Sequence, residues 1–389
     1  MNNSRFFHSI FQMQYVARWH EHAPRFKDNA ASHSFRCAAL AILVGIIEEQ
    51  QFNHSVDQLQ LVARALLHDL NETITGSIKH ITKKDPHVKH HIKQLEQEVS
   101  AELVQSLSRS LQPAFYDYIV NAEDDSYVGK LIADIDTLDA LLFCKREHDA
   151  GSNPYFSTTL HSLYEQLKQD ASESVIWLLD ELFPEHPSKQ PFQPTTGVAL
   201  FVHYMMNLDL IQRWSGSFNI IPDNDATHSF RTAAIALFNS TLETERFQVT
   251  SIDHYQLLSR ALLHDIVEAV SGDVASPIKK SSQQIKLAFE QYERHLASQM
   301  VDQLPSMFRT KLTDFIVHAK DDSYEGHMVD IADKVDALIK SNLEMRNNPH
   351  YTNIYYTQLT HLQHHYEQPS VIFFLAYILH DITYDHFSK

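Results

Sequence analysis

Histidine and aspartate residues recur along this chain in an order and at spacings that suit a divalent metal ion. Each copy has a lone histidine in His-Ser-Phe-Arg, a His-Asp pair that ends Ala-Leu-Leu-His-Asp, and an aspartate in a later Ala-Asp pair. The first copy consists of His33, His68, Asp69 and Asp134, and the second of His228, His264, Asp265 and Asp333. Imidazole with carboxylate suits Mn²⁺, Fe²⁺, Co²⁺, Ni²⁺ or Zn²⁺ better than Mg²⁺, which prefers oxygen ligands alone. The sequence therefore predicts one divalent metal ion in each half. It does not distinguish among these five metals.

The predicted ligand set suits hydrolysis. An ion that accepts six ligands and takes four from the protein keeps room for water and a substrate oxygen. Such an ion lowers the pKa of water enough to supply hydroxide near neutral pH. A single His-Asp dipeptide is often an ordinary packing or surface pair, and this chain has 26 histidines. The prediction of a metal-assisted phosphohydrolase therefore rests on the duplication of the whole set.

The repeat defines the domain organisation. Equivalent residues lie 195 positions apart at His33, 196 at His68 and 199 at Asp134. A repeat of this length indicates a duplicated domain rather than a solenoid, with a first domain over residues 1–183 and a second over 198–389. Residues 184–197 contain four prolines, which stop a helix and favour an extended linker.

The elements that must position these residues are predicted to be helices. Apolar residues recur at helical spacing before the first His-Asp pair, at Leu59, Val62, Ala63, Leu66 and Leu67. The same phrase returns in the second half, and the chain has only 8 glycines. The predicted fold class is all-α, with about six or seven helices in each half.

Composition limits the partners. The chain has 32 Lys and Arg against 49 Asp and Glu, a formal charge of −17, which disfavours a nucleic-acid polymer but not a small anionic substrate. The two cysteines fit a reducing compartment. Residues 1–8 lack an apolar core, and the longest apolar stretches, 38–47 and 371–379, are short for a membrane span. We therefore expect no membrane partner and a cytoplasmic location.

The motifs together resemble the HD-domain phosphohydrolase superfamily and, within it, the 5′-deoxynucleotidase group. Beyond the ligand set, the resemblance includes an Arg-Trp pair fifteen residues before the first histidine and the pattern His-Asp-x-x-Glu-x-x-(Ser/Thr)-Gly-Asp. It covers nearly all of both halves. It implies two tandem HD-domain bundles packed as an internal pseudo-dimer. It also implies metal-dependent hydrolysis of deoxyribonucleoside 5′-monophosphates to deoxynucleoside and phosphate, with little discrimination between bases.

The Arg-Trp pairs are the predicted substrate-binding residues. A phosphomonoester carries about two negative charges, which the guanidinium fork of Arg18 or Arg213 would grip. The resemblance implies that Trp19 and Trp214 border the sugar and disfavour a 2′-hydroxyl. Packing in the core is the alternative for both indoles.

Acidic residues after the His-Asp pairs are the predicted catalytic groups. Glu72 and Glu268 lie about one helical turn past the aspartate and would orient water or protonate the leaving 5′-oxygen; a solvated helix end is the alternative. Asp273 would hold a water or a sugar hydroxyl, unless it is a helix N-cap. The first half has Ser77 at the position of Asp273. We therefore predict a fully active second half and a weaker first half.

Two other functions remain open from the sequence. One is another HD-type hydrolysis, of nucleoside di- or triphosphates or guanosine tetraphosphate, which would need more basic residues than the motif segments contain. The other is a non-catalytic nucleotide-binding protein.

Overall fold

A computed structural model describes residues 3–78, 82–83, 85–279 and 281–384, without the side chains of residues 276, 277, 383 and 384. Helices connected by short loops build almost all of it, which confirms the predicted all-α class. The first half contains α1 (Ser4–Gln12), α2 (Ala30–Gln50), α3 (Gln58–Leu67), α4 (Glu72–Thr75), α5 (Lys89–Ser106), α6 (Gln112–Phe115), α7 (Tyr127–Asp149), α8 (Pro154–Asp170) and α9 (Glu173–Leu182). The short strands β1 (Ala17–Arg18) and β2 (Asp28–Asn29) pair antiparallel before α2.

The second half repeats this order. Its helices are α10 (Gly197–Asn207), α11 (Asp225–Phe247), α12 (His254–Leu263), α13 (Glu268–Ser271), α14 (Ser276–Lys279), α15 (Gln283–Asp302), α16 (Ser306–Leu312), α17 (Tyr324–Met345), α18 (Tyr351–His365), α19 (Pro369–Phe373) and α20 (Leu379–Tyr384). Single π-helical turns follow α6, α16 and α19, at 116–120, 313–317 and 374–378. A bridge between Gln212 and Asn224 stands where the first half has β1 and β2.

The long helices α2 and α11 form the centre of the two halves. Each begins at an asparagine N-cap: Asn29 accepts a hydrogen bond from Ser32 N, and Asn224 accepts one from Thr227 N. Such caps satisfy amide groups that a helix start leaves free. Among the described helices, α2 alone is long and apolar enough to cross a membrane, and that whole apolar window is buried inside the protein. A helix that is apolar on every side fits such a central position.

The two halves share one hydrophobic core and exchange reciprocal contacts. Phe6 of the first half stacks on Phe238 of the second, with ring centroids 5.7 Å apart. Arg36 on α2 lies 3.4 Å from Asp209 of the other half. Its counterpart on α11 donates to Gln14 Oε1 of the first half at 2.9 Å. Equivalent groups thus face each other across the interface, as they do in a twofold dimer.

The segment between α9 and α10 lies against the first half. Lys145 Nζ donates to Gln190 O at 2.9 Å, and Phe192 N donates to Asp149 Oδ2 at 2.8 Å. These bonds attach the proline-rich segment to the end of α7.

Candidate metal centre

Three helices of the first half bring three of its four predicted ligands together. His33 lies in the first turn of α2, and His68 and Asp69 directly follow α3. His33 Nε2 lies 3.2 Å from His68 Nε2 and 3.4 Å from Asp69 Oδ2. The fourth group is Asp136 on α7, whose Oδ1 is 3.2 Å from His33 Nε2. The cluster therefore combines the adjacent residues His68 and Asp69 with one residue each from α2 and α7.

Asp134 does not belong to this cluster, so that part of the predicted set was wrong. Its carboxylate accepts a hydrogen bond from Ser172 N at 2.8 Å, beside the start of α9. Residues two apart on a helix point about 200° from each other, so Asp134 and Asp136 lie on opposite faces of α7.

Asp134 and Asp333 both follow an alanine, but they do not occupy equivalent positions in the two halves. A more specific signal was available, because Asp136-x-x-Asp139 and Asp333-x-x-Asp336 share the same spacing and an offset of 197. Aspartates three apart share a helix face, and both members of each pair contact the same histidine.

The second half assembles the four residues predicted for it. His228 Nε2 lies 3.4 Å from Asp265 Oδ2 and 3.4 Å from Asp333 Oδ1. His264 Nε2 is 3.1 Å from Asp265 Oδ2. The two imidazole rings have centroids 5.2 Å apart, the same separation as in the first half.

Hydrogen bonds behind the histidines fix which ring nitrogen can bind a cation. His33 Nδ1 donates to the ionised Asp139 at 2.7 Å, and His68 Nδ1 donates to the carbonyl of Ala65 at 2.9 Å. With a proton on each Nδ1, the Nε2 lone pairs point at each other. The second half repeats both contacts, at 2.7 Å to Asp336 and 2.8 Å to Ala261 O. Such outer hydrogen bonds orient metal-binding histidines.

A cation fits these donors. In the first half, the two Nε2 atoms are 3.2 Å apart, and two lone pairs at that distance repel unless a positive charge lies between them. In the second half, His228 Nε2 and His264 Nε2 are buried and have no hydrogen-bond partner. In the first half, burial and the nearby Arg18 would lower the pKa of His33, but Cys37 and hydrogen bonds to Asp136 and Asp139 raise it well above its ordinary value. Without an ion, a proton on Nε2 takes the place of the cation. Both clusters are therefore built to stabilise positive charge.

Cys37 also lies at the first cluster. Its sulfur is 3.6 Å from both ring nitrogens of His33, and together with His33, His68 and Asp136 it forms a group close enough to hold one ion. Burial raises the pKa of this thiol to about 12, and the free thiol stays protonated.

The Arg-Trp pairs lie beside the clusters. In the first half, pairing of Arg18 with Asp28 across β1 and β2 holds the segment against the start of α2. Arg18 Nη1 is 3.1 Å from Asp69 Oδ2, and Arg213 Nη1 is 3.3 Å from Asp265 Oδ2. Each guanidinium therefore borders the oxygens that face the cation position.

The two tryptophans have an unusual backbone. Trp19 and Trp214 both have positive φ, of 59° and 62°, a conformation that bulky residues rarely adopt outside functional sites. The Trp19 ring stacks on Phe143 at 5.6 Å. Trp214 Nε1 donates to Asp223 Oδ2 at 3.0 Å. The Trp214 side chain also lines a cavity. Trp19 is thus partly a packing residue, and Trp214 faces open space.

The two glutamates predicted to be catalytic are buried. Burial and the nearby Asp69 raise the pKa of Glu72 to about 8. Burial and the neighbouring aspartates raise the pKa of Glu268 to about 9. Lys279 Nζ lies 3.2 Å from Glu268 Oε1. Such perturbed carboxyl groups are typical of proton-transfer sites.

A cavity of about 840 Å³ opens onto the second cluster. A nucleotide-sized ligand fits a space of this order. Its wall includes Arg213, Trp214, His264, Asp265, Glu268, Asp273, Lys279, Lys320 and Asp333. Asp273 therefore lies in the wall of the cavity and not at the N-cap of a following helix.

Sequence reasoning missed three charged residues at the sites. Lys320 contacts Asp333 in the second half, and Glu123 occupies the equivalent position in the first. Asp225, where the first half has Ala30, lies 3.3 Å from Arg213, and burial raises its pKa to about 7. The signal for them in the sequence is a difference in charge between equivalent positions of the two halves. A comparison of identical residues does not show such differences.

An all-α fold with paired histidines and aspartates at each centre defines a metal-dependent phosphohydrolase. The chain belongs to the 5′-deoxynucleotidase YfbR-like family, whose model matches residues 5–186 and 200–382. The match covers both halves separately, in agreement with the tandem duplication.

Individual relatives match about one half of the chain. The 5′-deoxynucleotidase of Shewanella oneidensis is 30% identical over 148 residues, which cover 38% of this chain and 74% of the relative. That of Vibrio cholerae is 23% identical over 185 residues, 47% of this chain and 95% of the relative. A solved HD-domain phosphohydrolase from Listeria innocua matches 48% of this chain and 89% of its own, with 26% identity and a TM-score of 0.44.

Proposed function

We propose that this protein hydrolyses deoxyribonucleoside 5′-monophosphates to deoxynucleoside and phosphate with a divalent metal ion. The observation that carries the proposal is the pair of facing imidazole lone pairs, bordered by carboxylates and a guanidinium. Membership of a 5′-deoxynucleotidase family supports the substrate class. In this proposal His33, His68, Asp69 and Asp136 hold the ion in the first half. His228, His264, Asp265 and Asp333 are the corresponding donors in the second.

The chain's own residues bind the phosphate and supply a proton. A bound divalent ion would contribute positive charge and lower the pKa of water. Arg18 or Arg213, at the edge of the cluster, binds the phosphate oxygens through its planar fork. Burial and the neighbouring Asp69 or Asp265 raise the pKa of Glu72 and Glu268 above its ordinary value, which favours a protonated carboxyl group beside the cluster. That proton can pass to the leaving 5′-oxygen as the ester bond breaks.

The cavity favours a nucleotide with one phosphate. Lys279 is 3.2 Å from Glu268 and 2.7 Å from Glu293, so its charge is already paired. Arg213, Lys320 and Lys334 border the cluster and line the cavity, and each is likewise paired with a carboxylate. A longer phosphate chain would need further unpaired cations. Hydrolysis of di- or triphosphates or guanosine tetraphosphate is therefore the weaker alternative.

Removal of the metal tests the proposed reaction. With Mn²⁺ or Co²⁺ we expect phosphate release from deoxynucleoside monophosphates, and with a chelator we expect release to stop, because the donors then hold no ion. Phosphate is measured colorimetrically on a panel of deoxy- and ribonucleoside mono-, di- and triphosphates. Turnover that is unaffected by the chelator, or confined to triphosphates, would contradict the proposal.

Removal of the phosphate-binding arginines should weaken substrate use. In the double variant Arg18→Ala with Arg213→Ala, we expect kcat/KM to fall roughly 100-fold, since a charge-assisted hydrogen bond contributes about 1.5–3 kcal/mol. The change should fall mainly on KM. Arg109→Ala, at an exposed position away from both clusters, is the matched control. Equal kinetics in the two variants would remove the arginines from the site.

A further inference from the structure

The two metal clusters differ at several charged positions, and Lys320 is the one that contacts a predicted metal ligand at 2.7 Å. Lys320 precedes Asp321-Asp322-Ser323-Tyr324, and Glu123 precedes the same four residue types in the first half. In both halves a buried arginine anchors this segment: Arg64 bonds Asp124 Oδ1 at 3.1 Å, and its counterpart bonds Asp321 Oδ1 at 2.9 Å. The equivalence of Glu123 and Lys320 is therefore structural as well as sequential.

The ammonium group of Lys320 forms an ion pair with Asp333, a predicted metal ligand. Its Nζ is 2.7 Å from Asp333 Oδ2, while Oδ1 of the same carboxylate faces His228 at 3.4 Å. A second ammonium, that of Lys334, lies 3.7 Å from Asp333 Oδ2. The Lys320 side chain is only 33% exposed, so water screens it incompletely. The corresponding aspartate of the first half, Asp136, faces Arg18 at 3.9 Å.

These charges act against a divalent ion. An ion bound by Asp333 would lie within a few ångströms of the Lys320 ammonium, and like charges at that range repel strongly where water is partly excluded. The ammonium would have to leave its carboxylate before the ion could bind. In the first half, Glu123 takes the place of this lysine, so the equivalent position brings no ammonium against Asp136. Asp225 does not offset Lys320, because it pairs with Arg213 at 3.3 Å.

We propose that Lys320 replaces much of the metal's charge in the second half, so that the first half is the tight metal site of this chain. The second half keeps Arg213 and its cavity, and it binds the nucleotide phosphate with Lys320 in place of a tightly held ion. The inference rests on the proposed function, and it reverses the expectation that Ser77 makes the first half the weaker one. The two halves thus divide into a metal-loaded site and a metal-poor nucleotide site.

Metal stoichiometry of the full chain tests this division without use of activity. In Mn²⁺ titrations followed by electron paramagnetic resonance, we expect one tight ion per chain, with the second at least about 100-fold weaker. Lys320→Glu should raise the count of tight ions to two. Glu123→Lys should reduce it to zero. Two tight ions in the unmodified chain, or an unchanged count in Lys320→Glu, would overturn the proposal.

Control variants separate the local charge from folding and net charge. Lys189→Glu makes the same charge change at a 64% exposed side chain in the segment between the halves, and it should leave one tight ion. Lys320→Gln removes the ammonium without adding a carboxylate and should strengthen the second site in part. Thermal unfolding of each variant shows whether it is folded. A matching gain in Lys189→Glu would refute the specific role of Lys320.

The result is distinguishable from failure of the proposed function. One tight ion with no hydrolysis of any deoxynucleoside monophosphate would contradict the proposed reaction. It would still support the proposed difference in metal affinity between the two halves. Two equal ions with normal hydrolysis would do the reverse.

Discussion

Replacement of Asp136 by asparagine is expected to abolish tight metal binding in the first half, whereas the same change at Asp134 leaves it intact. Asp136 Oδ1 lies 3.2 Å from His33 Nε2, and Asp134 instead accepts a backbone hydrogen bond from Ser172. Loss of a residue that only supports a metal ligand costs about 10- to 100-fold in affinity or activity. Loss of the ligand itself should therefore cost at least about 100-fold in Mn²⁺ affinity.

The pair of variants forms its own control, because the two aspartates are two positions apart on one helix. Phosphate release should follow metal binding and fall by a similar factor in Asp136→Asn alone. The measurement is best made with Asp265→Asn also present, so that the second half adds no turnover. Loss of metal in Asp134→Asn with retention in Asp136→Asn would restore the assignment made from the Ala-Asp dipeptide.

Replacement of Arg36 by alanine is expected to lower the free energy of unfolding by about 3–5 kcal/mol, as removal of one partner of a buried ion pair does. The guanidinium is fully buried and bonds both oxygens of Asp139, at 2.6 and 3.0 Å. It also contacts Asp28 at 3.1 Å and Asp209 of the other half at 3.4 Å. Asp209 keeps its pair with Arg146, but Asp139 and Asp28 remain buried with only His33 and the more distant Arg18 as partners.

Urea denaturation measures this loss, and Arg5→Ala is the control. Arg5 pairs with Glu102 at 3.8 Å, with side chains 42% and 66% exposed, and such a surface pair contributes about 0–1 kcal/mol. Arg36→Ala should also weaken metal binding, because Asp139 orients His33. Similar unfolding free energies for the two variants would show that the buried arginine is not a structural centre.

Local patterns in the sequence predicted much of this protein. Helical spacing of apolar residues predicted the all-α class, because one face of each helix must be buried. The sequence predicted His68-Asp69 and His264-Asp265 because residues that are adjacent in the chain at a helix end are also adjacent in space. The repeat of Arg-Trp and of the glutamate after each pair was readable for the same reason.

Distant contacts could not be predicted in this way. The choice between Asp134 and Asp136 depends on which face of α7 packs toward α2, and two aspartates two residues apart differ only in that rotation. The meeting of Arg36 with Asp209 joins two halves of the chain. The Asp-x-x-Asp repeat marked Asp136 in the sequence, whereas nothing local marked the contact of Arg36 with Asp209.

The sequence by itself determined the helices, the duplication and the residue types of a metal site, since these follow from periodicity and repetition. Only the tertiary structure decided which face of α7 lies toward His33 and that Lys320 reaches Asp333. The physical reason is that charge interactions depend on distance in space. Lys320 and Asp333 are 13 positions apart in the chain and 2.7 Å apart in the fold.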